Sequence, residues 1–257
     1  MFSKLHLTKP GLFVTATDTE VGKTVVTCAI ADHLRRAGLG VGVSKPISTG
    51  CRRDREGLVN EDAEALAHFA DCRMPLDVIN PARFVPPVAP AVAEEMTASQ
   101  IDYNEMARCL GMLDERHDVM LIEGIGGLLV PLEHANPKRT VLDLIKAIGY
   151  PALIVTRAGL GTLNHTAMTV RLLKQAGCRV GGIVINGYEP DVPKGKKGER
   201  EDPAMQSNRV WLERMNRVPI LATVPKCDGS MVAVHKGKMP AAIRDAVDVT
   251  YWPDVLG

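Results

Sequence analysis

The stretch GLFVTATDTEVGKTVVTCAIADHLRRAG, residues 11–38, decides the fold. Its opening residues, 11–16, form a short apolar run that predicts a buried strand. From residue 22 to residue 37 the apolar side chains recur at nearly helical spacing, and Gly38 stands where a helix commonly ends. The segment TDTEVGKT, residues 17–24, therefore lies at the junction of a strand and a helix.

The rest of the chain repeats this alternation of short apolar runs and longer amphipathic ones. It predicts strands at 41–44, 118–123, 152–156, 180–185 and 220–224, and helices at 61–70, 99–116, 140–148 and 163–176. Strands that alternate with helices are joined by right-handed crossovers, which predicts an α/β fold with a mostly parallel central sheet flanked by helices. Together with the junction at 17–24, this indicates a single P-loop NTPase-type domain over residues 1–257.

Two segments lack the pattern of a regular element. Residues 74–90 contain five prolines, too many for a continuous helix or strand, so we expect a loop there. Residues 190–202, PDVPKGKKGERED, are highly charged and rich in Pro and Gly, and we expect a solvated, mobile loop.

The composition narrows the class of protein. With 46% hydrophobic and 24% charged residues, the 257-residue chain resembles a soluble globular enzyme. A net charge of +1 argues against a nucleic-acid surface. The six cysteines are scattered, without a C-x-x-C pair, which favours reduced thiols. Because neither a signal peptide nor an apolar run of roughly 18 residues is evident, we expect a cytoplasmic protein without a membrane segment.

The segment at 17–24 matches the phosphate-loop pattern G-x-x-x-x-G-K-[ST], except that Thr17 replaces the first glycine. Backbone N–H groups in such a loop surround phosphate oxygens, a lysine places its charge on the terminal phosphates, and a hydroxyl can ligate magnesium. The pattern predicts a site for a nucleoside triphosphate, ATP with Mg2+. The residues expected to contact the nucleotide here are Asp18, Thr19, Glu20, Val21, Gly22, Lys23, Thr24 and Val25.

Several segments, taken together, are more specific than the loop alone. They are TATDTEVGKT at 15–24, SKPISTG at 44–50, NEDA at 60–63, EGIGG at 123–127, GLGTLNH at 159–165 and VING at 184–187. In order and approximate spacing they resemble the dethiobiotin synthetase family over about residues 11–228. The resemblance implies a homodimeric, ATP-dependent cyclo-ligase that uses Mg2+. Such an enzyme carboxylates 7,8-diaminononanoate with carbon dioxide, activates the carbamate with ATP, and closes the ring of dethiobiotin through a carbamic–phosphoric anhydride.

The resemblance also implies roles for individual residues. Lys45, Lys23 and Thr19 correspond to catalytic positions, and Thr24, Asp62 and Glu123 to magnesium ligands. The substrate-binding positions are Thr49, Gly161, Thr162 and Asn164, the last three at a helix start that the partner subunit contributes. The adenine-binding positions are Asn186 and Pro225.

Two features depart from the family. Ala16 replaces a glycine just before the loop, which is acceptable only if the position has a negative φ. The segment from residue 229 to residue 257 has no counterpart that we can place. The seven histidines show no metal-binding spacing, and we interpret them as structural or surface residues.

Three alternatives remain. Regulatory ATPases of the partition or septum-positioning type share the fold, but their loop reads K-G-G-x-G-K-T, whereas this chain has Asp18, Thr19 and Glu20 in place of K-G-G. Related ATP-dependent amidoligases add a glutaminase domain with a catalytic cysteine, and we expect this chain to be too short for one. A non-catalytic nucleotide-binding protein is the third, although Lys45 and Glu123 are both retained.

Overall fold

The computed structural model of the protein describes residues 5–55, 57–189 and 203–257, so the segment predicted as a mobile loop, 190–202, lies outside the described residues. The strands, in chain order, are β1 (Gly11–Ala16), β2 (Val41–Ser44), β3 (Ile47–Ser48), β4 (Arg52–Arg53), β5 (Leu58–Val59), β6 (Ala82–Arg83), β7 (Val119–Glu123), β8 (Ala152–Arg157), β9 (Val180–Tyr188) and β10 (Ile220–Pro225). Within the described residues, six of them form one sheet in the order β10-β9-β8-β1-β7-β2, and each neighbouring pair is parallel. The predicted parallel sheet is confirmed.

Helices cover this sheet. They are α1 (Lys23–Arg36), α2 (Glu61–Ala70), α3 (Leu76–Ile79), α4 (Pro90–Thr97), α5 (Tyr103–Arg116), α6 (Val141–Ile148), α7 (Thr162–Gln175), α8 (Pro203–Asn216), α9 (Ser230–His235) and α10 (Ala241–Asp248), followed by a 3-10 turn at Trp252–Asp254. The helices predicted from periodicity correspond to α1, α2, α5, α6 and α7. None of the helices in the described part of the chain is long and apolar enough to cross a membrane.

The loop predicted at 74–90 is wrong as a description of the whole segment. It contains α3 and the short strand β6, which pairs with β3, and α4 begins at its last residue. Pro75 immediately precedes α3, and Pro90 occupies the first turn of α4. Proline is tolerated at these positions because the first N–H groups of a helix have no intrahelical partner. The prolines therefore delimit short elements here.

The helix predicted at 99–116 starts later than expected, at Tyr103. Asp102 caps it, because its carboxylate accepts hydrogen bonds from the backbone N–H groups of Asn104 and Glu105 at 2.9 and 3.0 Å. An aspartate at this position satisfies N–H groups that the helix itself leaves unpaired. Residues 99–102 consequently stay outside the helix.

The C-terminal segment packs against α1 and β10 and supplies part of the core. Trp252 is fully buried and donates its indole N–H to the carbonyl of Val247 at 2.9 Å. Asp32 of α1, which is 4% exposed, is contacted by three arginines, Arg35 and Arg36 on its own helix and Arg244 on α10. This buried carboxylate therefore ties α10 to the helix that follows the phosphate loop.

The register of the sheet brings the functional segments to one edge. Since all six strands run in the same direction, their carboxyl ends lie side by side, which is where ligands bind in open α/β sheets. β1 sits between β7 and β8, and all six of its residues are buried. Lys45, Glu123 and the loop at 17–24 follow or end three strands that are consecutive in the sheet order β1-β7-β2.

Candidate functional site

The loop at 17–24 reaches α1 through residues with left-handed backbone conformation. Glu20 has a φ of 57° and Gly22 a φ of 96°. The Asn186 amide donates from Nδ2 to the carbonyl oxygen of Val21 at 2.9 Å, and a Cβ on Gly22 would lie 2.1 Å from that nitrogen. Glycine is required at position 22 for two reasons, the positive φ and the close approach of Asn186.

The start of α1 is arranged to receive an anion. No side chain caps the helix at Gly22, so its first N–H groups are left for a ligand. The ammonium of Lys23 folds back along the loop and donates to the carbonyl oxygen of Asp18 at 3.3 Å. The side chain of Val25 is buried in the core, which leaves only the backbone of this predicted contact residue to face a phosphate.

The alanine that departs from the family pattern fits its position. Ala16 is the last residue of β1, fully buried, and it is absent from the described non-glycine residues with a positive φ. A methyl group is therefore accommodated in ordinary extended backbone at this position.

A buried cluster of charged side chains lies beneath the loop. The ammonium of Lys45 donates to Oε1 of Glu123 at 2.5 Å and to Oδ2 of Asp62 at 3.0 Å. The hydroxyl of Thr24 donates to the same Glu123 oxygen at 2.9 Å. Glu123 is fully buried and Lys45 is 5% exposed. The structure thus brings Thr24, Lys45, Asp62 and Glu123 together in one cluster.

The donor set of this cluster fits a magnesium ion that is shared with phosphates. The second carboxylate oxygen of Glu123, Oε2, is buried and has no hydrogen-bond partner among the residues that the structure describes. Within the described residues no group of three or more His, Cys, Asp and Glu side chains is arranged to hold a metal by itself. Mg2+ commonly uses one or two carboxylates and completes its shell with water and phosphate oxygens, which a hydroxyl and two carboxylates beside a phosphate loop allow.

The charges of the cluster shift the pKa values of its members. Burial, followed by the positive charge of Lys45, lowers the pKa of Lys23 to about 8. Burial by itself also lowers the pKa of Lys45, but the carboxylates of Glu123 and Asp62 outweigh it and hold this pKa above its usual value. Burial raises the pKa of Asp62, whereas the ammonium of Lys45 and a hydrogen bond from His235 hold it well below its usual range. An anion in the cavity would therefore stabilise the charged form of Lys23.

The loop and the cluster enclose a cavity of about 340 Å³. Thr19, Lys23 and Thr24 belong to its lining. The lining also includes residues from several other elements, namely Lys45, Thr49, Asp62, Ile125, Met231 and His235. The predicted catalytic residues, the predicted hydroxyl of Thr49 and two of the predicted metal ligands thus surround one space.

The interpretation of the histidines as structural or surface residues is wrong for His235, which lines the cavity. Its Nε2 lies 2.9 Å from Oδ1 of Asp62 and its Nδ1 lies 3.1 Å from Oε2 of Glu61. Asp62 raises the pKa of His235, chiefly through that hydrogen bond. No local sequence signal identifies this residue, because it reaches the cavity only through the packing of α9.

A second, apolar pocket of about 420 Å³ also borders the loop. It shares Thr17, Asp18 and Thr19 with the loop and is otherwise lined mainly by residues 127–131 and by α7. Its apolar lining includes two side chains that are substantially exposed, Leu129 at 61% and Met168 at 49%. Thr49 lines the first cavity, whereas Gly161, Thr162 and Asn164 at the start of α7 are absent from the lining of both pockets.

The predicted contacts at the start of α7 differ in exposure. Gly161 has a φ of 92°, and within the described residues no side chain caps the helix that follows it. Asn164 is exposed, but Thr162 is buried and its hydroxyl lies 2.7 Å from that of Thr156. The backbone N–H of Thr162 also has a partner, since it donates to the carbonyl oxygen of Gly159 at 3.3 Å.

The two predicted adenine contacts lie outside the lining of these pockets. Asn186 lies next to the phosphate loop, where its side-chain amide donates one N–H to the carbonyl oxygen of Val21. Pro225 is the last residue of β10 and pairs with Tyr188 of β9. Both residues are at the carboxyl edge of the sheet, on the β9–β10 side of the loop.

Two further polar residues support the site and were missed from the sequence. Asn80, 1% exposed, donates from Nδ2 to the carbonyl oxygen of Lys45 at 2.5 Å and accepts from the Ser48 hydroxyl at 2.7 Å. Arg157 at the end of β8 donates to Oδ2 of Asp18 at 3.2 Å. Arg157 could have been found, because β8 was predicted to end at the same edge of the sheet; Asn80 lay in the segment predicted as a loop.

Solved structures share the fold. The ParA family ATPase of Chlorobium tepidum TLS aligns with a TM-score of 0.53 and 14% identity, covering 96% of this chain and 98% of that one. The septum site-determining protein MinD complexed with Mg-ADP from Pyrococcus horikoshii OT3 aligns with a TM-score of 0.55 and 17% identity, covering 94% and 93%. At these identities the likeness concerns the architecture alone.

Sequence relatives are more similar. A family model described as an AAA domain matches residues 10–232. The ATP-dependent dethiobiotin synthetase BioD of Thermodesulfovibrio yellowstonii is 38% identical over 221 residues, which cover 84% of this chain and 89% of that protein. The protein of the same name from Bacillus subtilis strain 168 is 36% identical over 247 residues, covering 96% and 99%. The chain therefore belongs to the ATP-dependent dethiobiotin synthetase family.

Proposed function

We propose that this protein is an ATP-dependent cyclo-ligase that forms dethiobiotin from 7,8-diaminononanoate, carbon dioxide and ATP. The observation that carries the proposal is the position of Lys45. Its ammonium is buried between Glu123 and Asp62 and lines the cavity that the phosphate loop borders. A second cation next to Lys23 suits a site where two anions, a γ-phosphate and a carbamate, must approach each other.

ATP is proposed to bind with its phosphates against the loop and the start of α1. The N–H groups of the loop and the ammonium of Lys23 would hold the phosphate oxygens. Thr24, Asp62 and Glu123 would hold Mg2+, which neutralises charge on the phosphates when it is bound. The unpaired buried oxygen of Glu123 supports this assignment, since a buried acceptor without a partner is unfavourable.

The proposed reaction requires the chain to orient two nucleophilic attacks. One amine of the diamine takes up carbon dioxide and loses a proton to give a carbamate. A carbamate oxygen then attacks the γ-phosphorus, and ADP leaves. The neighbouring amine finally attacks the carbamate carbon of the mixed anhydride, so that the ring closes and phosphate leaves. Lys45 would stabilise the negative charge of the carbamate, and Thr19 and Thr49, whose hydroxyls line the cavity, would orient it.

The apolar pocket beside the loop suits the methylene chain of the diamine. Thr19 belongs to both pockets, so a substrate that reacts in one could extend into the other. The exposed side chains of Leu129 and Met168 support a homodimer in which this face is covered. The start of α7, at Gly161 and Asn164, would then bind the carboxylate of a substrate held by the partner subunit. A single-domain organisation and a cytoplasmic location are part of the same proposal.

The regulatory ATPase alternative is less well supported. Such a switch would carry a lysine where this loop has Asp18. The carboxylate of Asp18 instead accepts from Arg157 at 3.2 Å and from the N–H of Thr19 at 2.7 Å. These contacts give Asp18 a role within the loop of its own subunit.

The experiment is a coupled measurement of product and phosphate. Purified protein is incubated with ATP, magnesium, bicarbonate and 7,8-diaminononanoate, and dethiobiotin is measured by mass spectrometry beside released phosphate. We expect one phosphate per dethiobiotin and almost none without the diamine. Lys45→Met should lose product formation, whereas Lys146→Met, which removes an exposed lysine from α6, should not. Phosphate release that is independent of the diamine would contradict the proposal and favour a switch ATPase.

A further inference from the structure

The segment after residue 229 contributes a side chain to the triphosphate cavity that the proposed reaction does not use. We propose that His235 is a positioning residue: it holds the carboxylate of Asp62 by one oxygen, so that the other oxygen faces the magnesium–triphosphate site. This inference rests on the proposed nucleotide and metal site. It assigns a role in that site to the short helix α9, for which the family resemblance gives none.

The contacts of Asp62 divide its two oxygens between two partners. Oδ1 lies 2.9 Å from Nε2 of His235, and Oδ2 lies 3.0 Å from the ammonium of Lys45. A carboxylate oxygen can only accept, so the imidazole N–H donates to Asp62. The Nδ1 atom of His235 faces another carboxylate, that of Glu61, at 3.1 Å. The ring is therefore arranged to bind the first turn of α2 rather than to coordinate a cation itself.

Lys45 cannot secure Asp62 throughout the reaction. In the proposed function its ammonium turns to the carbamate and the γ-phosphate, which weakens its ion pair with Asp62. Within the described residues, His235 is then the side-chain partner that still holds this carboxylate. Glu123 does not need such help, because it ends β7 in the interior of the sheet and is fully buried.

The place of Asp62 in the fold explains why a second support matters. It lies in the first turn of α2, and its side chain is 27% exposed. The preceding short hairpin, β4 with β5, is partly exposed, with both residues of β4 on the surface. A carboxylate on such an edge keeps more rotational freedom than one buried in a strand, and an orienting hydrogen bond reduces that freedom.

α9 is itself held firmly enough to act as a support. Val234, the residue before the histidine, is fully buried. The backbone just after the helix is fastened to α2, since the imidazole Nε2 of His68 lies 3.2 Å from the carbonyl oxygen of Gly237. A Cβ on Gly237 would lie 2.8 Å from the same imidazole nitrogen, so the two elements are in close contact. His235 therefore approaches Asp62 from a fixed backbone.

The test separates metal-dependent binding from nucleotide binding as such. A non-hydrolysable fluorescent ATP analogue is titrated into the protein in magnesium and again in EDTA. The dissociation constant in EDTA divided by that in magnesium measures what magnesium contributes to binding. We expect His235→Ala to reduce this ratio by about 10- to 100-fold, the usual effect of removing a residue that orients a metal ligand, with the EDTA value nearly unchanged. His235→Gln should retain most of the ratio, because its amide can also donate to Asp62.

A matched control comes from the same helix. Val232 is 57% exposed and is absent from the cavity lining, so Val232→Ala should leave both dissociation constants unchanged. In steady-state assays, His235→Ala should raise the magnesium concentration needed for half-maximal rate while kcat at saturating magnesium falls much less. A raised magnesium requirement with a much smaller fall in kcat is not expected from a residue that only stabilises the fold.

Three results would overturn the proposal. One is a loss of affinity in EDTA as large as in magnesium, which would indicate a direct phosphate contact or a structural role. Another is a His235→Gln variant as impaired as His235→Ala. The third is a wild-type protein whose nucleotide affinity does not depend on magnesium. Failure of the proposed function is distinguishable, because a protein that makes no dethiobiotin can still show the magnesium-dependent ratio and its loss in His235→Ala.

Discussion

The stability of the protein should depend on the ion pair between Lys45 and Glu123. Lys45→Met replaces the ammonium by an apolar group of similar length and leaves the carboxylate of Glu123 in place. That carboxylate is fully buried, and apart from Lys45 its hydrogen-bond donor is the hydroxyl of Thr24. Its other oxygen has no hydrogen-bond partner in the described part of the chain. The variant therefore keeps a buried charge after losing the cation that compensates it.

The size of the effect follows from this burial. Removing one partner of a buried ion pair typically costs about 3–5 kcal/mol, because the remaining charge is desolvated and uncompensated. With a urea slope of about 2 kcal/mol/M, the unfolding midpoint should fall by about 1.5–2.5 M. Glu123→Gln in the same chain removes the second charge and keeps an acceptor for Thr24. The double variant should therefore recover most of the lost stability.

The assay is urea unfolding in EDTA, followed by tryptophan fluorescence, to which the fully buried Trp252 and the half-exposed Trp211 both contribute, together with far-UV circular dichroism. Lys146→Met is the control, since this lysine is exposed and its removal should shift the midpoint little. The double-mutant cycle isolates the pairwise interaction. A Lys45→Met midpoint within about 0.3 M of the wild type, or a double variant no more stable than the single one, would refute the reasoning.

Other substitutions test the loop and the packing around it. Gly22→Ala should weaken nucleotide binding at least about tenfold in a fluorescence titration, because the new Cβ would lie 2.1 Å from Asn186 Nδ2 at a φ of 96°. Asp32→Asn should lower the unfolding free energy by about 2 kcal/mol at pH 7, since it weakens charge-assisted hydrogen bonds to three arginines. Burial raises the pKa of Asp32, but these arginines bring it below its usual value, so the wild type gains this stability above about pH 4 and loses it as the pH falls further. The urea midpoint of the wild type should exceed that of the variant at about pH 7, and the two midpoints should approach each other at about pH 3. Arg157→Ala should change the free energy of unfolding, measured by urea titration, by less than about 1 kcal/mol, because both side chains of its ion pair with Asp18 are exposed.

The strand and helix pattern was predictable because it depends on local periodicity. β1 and β2 coincide with the predicted ranges, and so does α2. Errors occurred where short elements depend on their neighbours. The segment at 74–90 contains α3 and β6, and β6 exists as a strand because β3 lies beside it. A two-residue strand has no periodicity to recognise in one sequence.

The candidate site was partly predictable for the same reason. Lys45 and Glu123 each follow or end an apolar strand, and the ends of parallel strands meet at one edge of the sheet. Their convergence with Thr24 could therefore be expected from the order of elements. The family motifs then supplied the chemistry that the spacing could not.

The amino-acid sequence by itself determined the phosphate loop, the parallel sheet and the residues at its carboxyl edge, because each is encoded within one strand–loop–helix unit. Only the tertiary structure decided which oxygen of Asp62 and Glu123 meets which cation, and that His235 from α9 reaches the cavity. Those contacts join segments that are distant in the chain. The contact of His235 arises from the packing of α9 on α1 and α2, which the local sequence around this histidine does not reveal.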